Sequence, residues 1–220
     1  MREAYHDQLG ELATHLADMC AMVSDAMERA TAALLNADLA LAEQVIGDDV
    51  KIDEARSAYE EEAYALLALQ APVATDLRTV LSVIHAAESL ERMGDLALHV
   101  AKAARRRHPK AALPDEVRPD FEQMGRVAVS LSRKAEQVIR TQDVALARDL
   151  VDEDDEIDDM HRHLFSVVMD RSWPYGTAAA VDVTLLSRFY ERYADHAVSV
   201  AKRTVFVVTG RMPGSDQFDI

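Results

Sequence analysis

Apolar residues recur at helical spacing through the middle of the first half of the chain. Leu77, Val80, Ile84, Ala87 and Leu98 fall on one face of a helix, with Glu91 and Asp95 beside them. Long stretches rich in Ala, Leu, Glu, Arg and Met, all strong helix formers, run without interruption between widely spaced breakers. All six prolines stand where a helix would end: Pro72, the group Pro109, Pro114 and Pro119, then Pro174 and Pro213. This punctuation predicts six helices at about 2–36, 38–70, 74–107, 116–141, 143–171 and 177–209. Asp38 and Asp143 stand at N-cap positions, and Thr75 or Asp76 is the expected cap of the third helix. Seven Gly and six Pro in 220 residues are about half the usual share, which favours long helices over strands.

The segment His108–Pro119 is the one stretch that reads as a linker, and the parts on either side repeat each other. Asp38, Leu41, Ala42, Val45, Ile46, Asp49, Ile52 and Asp53 match Asp143, Leu146, Ala147, Leu150, Val151, Asp154, Ile157 and Asp158 in order and spacing. Glu91-Arg92-Met93-Gly94-Asp95-Leu96-Ala97 matches Glu191-Arg192-Tyr193-Ala194-Asp195-His196-Ala197, and both continue to Val-Ala-Lys. The fold class that follows is all-α: two duplicated antiparallel three-helix bundles, at 1–108 and 120–210, joined by a linker at 109–119 and followed by a mobile tail at 211–220.

Charge narrows the function. With 24 Lys+Arg against 39 Asp+Glu, the formal net charge of −15 argues against nucleic acid as a partner. The first residues lack the apolar core of a signal peptide, and no stretch is long and apolar enough to span a membrane. The single cysteine, Cys20, reads as a core thiol and suits a reducing compartment. A cytoplasmic location is the expectation.

Acidic residues recur at i and i+4 in matched places of both repeats: Asp49/Asp53, Glu91/Asp95, Asp154/Asp158 and Glu191/Asp195. That spacing puts both carboxylates of a pair on one helix face, where like charges destabilise by a few tenths of a kcal/mol. One such pair is ordinary on a solvated surface. Four in register call for a reason, and a hard cation held by oxygens supplies one. Glu91 and Asp95 abut an apolar stripe, whereas the counterpart face of the sixth helix carries Ala180, Thr184, Ser187, Arg188 and Val198. The second quartet is therefore expected to be the shallower. His161 and His163 point to different helix faces and make a poor pair of ligands for one ion. Arg105-Arg106-Arg107 reads as cations complementing a helix C-terminus. No phosphate-binding glycine loop or nucleophile motif is present, so no catalytic residues are expected.

The two Glu-Arg-x-x-Asp-x-Ala-x-x-Val-Ala-Lys segments, Pro72-Val73-Ala74-Thr75-Asp76-Leu77-Arg78, the Asp-x-x-x-Asp pairs and Met124-Gly125 together resemble the PhoU family of phosphate-signalling regulators over about residues 5–208. The second copy has Ala194 where the first has Gly94, and lacks an Asp-Leu-Arg segment. The resemblance implies metal clusters of iron, zinc or magnesium, one on Asp49, Asp53, Glu91 and Asp95, the other on Asp154, Asp158, Glu191 and Asp195. It also implies a non-enzymatic negative regulator of phosphate uptake that links a phosphate ABC transporter to a membrane sensor histidine kinase. Contact with the membrane would be indirect, through those partners. Two other readings stand beside it: a carboxylate-bridged di-metal hydrolase, and a metal-free helical adaptor whose acidic pairs are solvated. Long amphipathic helices with a residual apolar face add the expectation of self-association, as a homodimer.

Overall fold

Asp38 and Asp143 cap their helices as expected. Asp38 Oδ1 accepts from the Leu41 N–H at 3.0 Å, and Asp143 Oδ1 accepts from the N–H groups of Ala145 and Leu146 at 2.8 and 3.2 Å. The computed structural model describes residues 2–211, the side chains of residues 2–4 and 6 excepted. Six helices follow one another: α1 (Arg2–Asn36), α2 (Leu39–Gln70), α3 (Ala74–Arg107), α4 (Arg118–Thr141), α5 (Val144–Met169) and α6 (Gly176–Thr209), with no strand among the described residues. Apart from Arg211, the expected mobile tail lies outside them.

The third helix departs from expectation at its start. Its N-cap is Val73, whose side chain makes no capping bond, and Thr75 and Asp76 already lie in the first turn. Val73, Ala74 and Thr75 are exposed, so water satisfies the free N–H groups that a side chain would otherwise cap. Thr75 is used differently: its Oγ1 accepts from Arg78 Nη2 at 2.9 Å.

Within each half the three helices pack pairwise, and α3 also lies along α6 while α1 lies along α4. The helices α1, α3, α6 and α4 thus close a central ring of four. Outside it, α2 rests on α1 and α3, and α5 rests on α4 and α6. One continuous apolar core runs through both halves, with Tyr190, Tyr193, Phe121 and Met124 among its fully buried members. The expected linker is also tied down, since Ala112, Leu113 and Val117 are buried in that core.

The two halves meet antiparallel, α3 against α6 and α1 against α4. The His99 ring stacks on Phe189 at 5.3 Å, and farther along α3, where α6 has run back, Arg106 Nη2 donates to Asp182 Oδ1 at 3.0 Å. Arg107 Nε donates to the other oxygen at 2.6 Å, so a carboxylate only 5% exposed is shared by two arginines of the other half. The arginine run is therefore more than a dipole complement, and Arg105 adds a pair with Glu43 at 3.5 Å. Between α1 and α4 the approach is closer still. A Cβ on Gly125 would lie 2.5 Å from Thr31 Cγ2, and Thr31 Oγ1 is hydrogen-bonded to the Tyr190 hydroxyl at 2.8 Å. Tyr193 donates to the Val23 carbonyl at 3.0 Å, a second buried tie to α1.

Candidate functional site: two acidic grooves on one face

Because α3 lies against α6, the α2–α3 groove and the α5–α6 groove open side by side on the face built by α2, α3, α6 and α5. The structure brings each sequence-predicted quartet together in one of them. Asp49 and Asp53 of α2 face Glu91 and Asp95 of α3. Asp154 and Asp158 of α5 face Glu191 and Asp195 of α6. The helices approach closely at the first groove, where a Cβ on Gly94 would lie 3.0 Å from Ile52 Cδ1. At the second, Ala194 stands in the corresponding place.

The electrostatics follow from that crowding. Burial, then the neighbouring Asp53 and Asp95, raise the Asp49 carboxyl above its ordinary value, with Lys102 and His99 opposing. Burial likewise raises Glu91, against the pull of Arg92 and Arg56. In the second groove burial, then Asp195, Asp158, Asp155 and Glu191, push Asp154 up to about 6. Glu191 is raised by burial and by Asp195, with Arg188 opposing.

The second groove is not the shallower one expected from its more polar residues. Glu191 is more deeply buried than Glu91, Asp195 is more exposed than Asp95, and the matched Ala87 and Ser187 are both fully buried.

Counter-ions sequence reasoning passed over are part of both grooves. Arg92 reaches Asp95 at 2.9 Å and Glu91 at 3.5 Å, and Arg188 pairs with Glu191 Oε1. Beside the first groove a cleft of about 330 Å³ holds Arg29, paired with Asp25 and Asp48 at 2.8 Å each. Hydrogen bonds from Lys51 and Arg29 hold Asp48 below its ordinary value, so it is a paired anion next to the strained Asp49. Arg92 follows Glu91 directly and Arg188 stands one turn before Glu191 on the same helix, whereas Arg29 comes from α1, and only the fold brings it to Asp48. Of the two histidines set aside, His161 faces α6, its Nδ1 being 2.9 Å from Ser187 Oγ, while His163 lies with Asp170 and Trp173 at the α5–α6 connection. Burial, then Arg188, keep His161 below the usual imidazole range. Cys20 is fully buried and its thiol is raised by that burial, in keeping with a core role.

The donor set suits a cation. Eight carboxylates in two facing quartets are an all-oxygen set for hard ions. In the second groove Glu191 Oε2 is buried without a hydrogen-bond partner, an orphan acceptor that an ion would satisfy. Among the described residues no three such side chains are placed to hold one ion, and arginines pair with Glu91, Asp95 and Glu191.

A family model described as the PhoU domain matches the chain twice, over residues 16–104 and 121–204, one match per bundle. The phosphate-specific transport system accessory protein PhoU homolog 2 of Mycobacterium tuberculosis is 59% identical over 213 residues, covering 97% of this chain and 100% of the relative. PhoU homolog 1 of Mycobacterium leprae is 57% identical over 98% of this chain and 97% of its own length. The crystal structure of the phosphate transport system regulatory protein PhoU from Streptococcus pneumoniae superposes with a TM-score of 0.86 at 25% identity, over 96% of this chain and 100% of that one. PhoU from Pseudomonas aeruginosa gives a TM-score of 0.83 at 26% identity, over 94% of this chain and all of that one. The duplicated bundle, the paired acidic grooves and these relatives have one reading: the chain belongs to the PhoU family.

Proposed function

We propose that this chain is a cytoplasmic, non-enzymatic negative regulator of phosphate uptake and phosphate-starvation signalling. It acts by contact, joining a phosphate ABC transporter to a sensor histidine kinase. The observation that carries the reading is the pair of acidic grooves side by side on one four-helix face, in a chain whose relatives are named accessory proteins of phosphate transport. Asp49, Asp53, Glu91 and Asp95 would hold one group of metal ions and Asp154, Asp158, Glu191 and Asp195 the other, iron, zinc or magnesium serving. A bound cation supplies positive charge: it relieves carboxylate repulsion and ties α2 to α3 and α5 to α6, so the docking face is ordered when the partner arrives. The arginines hold the carboxylates in place until then. No helix among the described residues is long and apolar enough to cross a membrane, so on this reading the membrane is reached through partners.

Two arms test it. In a deletion strain grown in abundant phosphate, phosphate-uptake genes are expected to switch on and the intact chain to silence them again. A variant carrying Asp49→Asn, Glu91→Gln, Asp154→Asn and Glu191→Gln is expected to fold but fail to silence, and to lose capture of transporter or kinase components in pull-downs. Full silencing by that variant would remove the metals from the mechanism. Failure of the intact chain to bind either partner at any metal condition would remove the contact mechanism.

A further inference from the structure

The α3–α6 crossing carries a polar clamp at one end and a cavity at the other. Where α3 ends, the buried Asp182 carboxylate of α6 accepts from Arg106 Nη2 at 3.0 Å and from Arg107 Nε at 2.6 Å. At the opposite end the matched positions hold Ser82 in place of Asp182, and Phe206 and Val207 in place of the two arginines. Ser82 is smaller than an aspartate, and it lines a cavity of about 40 Å³. The apolar walls are Leu16 of α1, Val83 and Ala86 of α3, Ile139 of α4 and Val207 of α6.

Two polar groups of that cavity lack partners. Ser82 is 5% exposed and its Oγ is buried without a hydrogen bond. Thr79 and Ser89 of the same helix donate to the carbonyl four residues back, at 3.0 and 3.2 Å, and Ser82 does not. A buried hydroxyl left unpaired calls for something to receive its proton. Arg203 of α6 also lines the cavity, partly buried, and makes no ion pair or hydrogen bond among the described residues. Its counterpart on α3 is Ala103, so the unclamped end has a cation where the clamped end has none.

A donor hydroxyl, a free guanidinium and aliphatic walls complement a carboxylate that carries a short alkyl chain. The other end supplies the template, since there a carboxylate fills the matched place and arginines hold it. A cavity of about 40 Å³ takes about three water-sized groups, too few for a nucleotide or a sugar. We infer that the Ser82 end of the central ring binds a short aliphatic carboxylate. Its chain lies against Val83, Ile139 and Val207, and its oxygens accept from the Ser82 hydroxyl and the Arg203 guanidinium. Such a ligand touches all four central helices and does from outside what Asp182 does from within the chain. The site shares no residue with the acidic grooves and is independent of the metal reading.

The test uses the full chain with isotope-labelled Ile, Leu and Val methyl groups, titrated with butanoate at constant ionic strength and followed by NMR. The methyl signals of Val83, Ile139 and Val207 are expected to shift together to saturation. Arg203→Gln and Ser82→Ala are each expected to weaken butanoate about 10-fold. Ser82→Asp supplies the missing carboxylate from the chain itself and is expected to abolish binding with helical content unchanged. Arg203→Gln, at a side chain with no internal partner, decides even where Ser82→Asp does not fold. Butanol, with the same chain and no charge, is expected to bind about 10-fold more weakly than butanoate. Equal affinity for butanol, the same shifts from inorganic phosphate, or undiminished affinity in Arg203→Gln overturns the carboxylate site. Absence of any saturable shift assigns the cavity to water and overturns it outright.

Discussion

The repulsion within the second groove is measurable through Asp154. Its carboxyl is pushed from an ordinary 3.8 up to about 6, burial being the largest cause and Asp195, Asp158, Asp155 and Glu191 the rest. At 1.36 kcal/mol per unit, that displacement sets a ceiling of about 3 kcal/mol on the cost of ionising Asp154 in the folded protein. The side chain keeps part of its solvent, and screening reduces the figure to about 1–2 kcal/mol. The sign follows from the raised value: folding favours the protonated form. The contribution is complete below about pH 4, where the unfolded chain also holds the proton, and is lost as the pH rises through about 6. Asp154→Asn cannot ionise and escapes that loss. The chelator-treated variant is therefore expected to gain on the wild type by about 1–2 kcal/mol between pH 4 and pH 7.5, or about 3–6 °C in Tm for a chain of this size. Urea and thermal unfolding at both pH values measure it. Saturating cation should reverse the order at pH 7.5, because the wild type has the ligand and the variant lacks it. A gap between the two proteins that stays constant with pH would refute the reasoning.

Other outcomes follow from the packing. Gly125→Ala gains about 1 kcal/mol of helix propensity but drives a Cβ to within 2.5 Å of Thr31 Cγ2, so a net loss of about 1–2 kcal/mol is expected in urea unfolding. Gly94→Ala meets only Ile52 methyl groups at 3.0 and 3.2 Å and should stay within about 0.5 kcal/mol of wild type, the propensity gain offsetting the squeeze. Asp182→Ala should cost about 1–3 kcal/mol, below the loss typical of a fully buried pair, because Arg106 and Arg107, 59% and 38% exposed, can rehydrate. A double-mutant cycle with Arg107→Ala checks it, strict additivity counting against the clamp. In hydrogen exchange, added cation should slow α2 and α5 more than the central four helices, and uniform protection would speak against cross-linking by metal.

Much of the fold was legible because breakers are scarce and the prolines among the described residues fall at helix ends or between helices. The repeat was legible because Asp49, Ile52 and Asp53 recur as Asp154, Ile157 and Asp158 with their spacing intact. The four acidic pairs were legible from the i,i+4 rule alone. What could not be read depends on neighbours from another helix. The start of α3 relies on solvent in place of the side-chain cap expected at Thr75 or Asp76, and nothing local distinguishes the two. Asp182 is one acid among 39 until α6 is laid antiparallel on α3 and two arginines meet it. His161 looked inert because its spacing was judged against His163, whereas its partner is Ser187 on the facing helix. Polar residues on α6 suggested a shallower second site, but burial there is decided residue by residue, with Glu191 deeper than Glu91 and Asp195 more exposed than Asp95.

The places where the duplicate halves diverge are as informative as those where they agree. Apolar positions are kept in kind, as with Val45 and Leu150 or Ile52 and Ile157, since both bundles feed one core that tolerates little change in volume. Divergence gathers at polar positions around the grooves and the α3–α6 seam: Arg56 against His161, Ala87 against Ser187, Glu88 against Arg188, Ser82 against Asp182. Each exchange alters charge or ligand type without altering the path of a helix. The seam shows the effect most simply, since Asp182 is clamped by two arginines while Ser82, its counterpart, is buried with its hydroxyl unpaired. The two ends of one symmetric crossing are thus fastened differently. The same holds across the grooves, where Arg56, Arg92, Lys102 and His99 oppose the acids of the first and Arg188 those of the second, beside His161. Duplication built two equivalent frames, and substitution at their polar rims has made the sites they hold unequal, so a cation or a partner that engages one has no physical reason to engage the other equally.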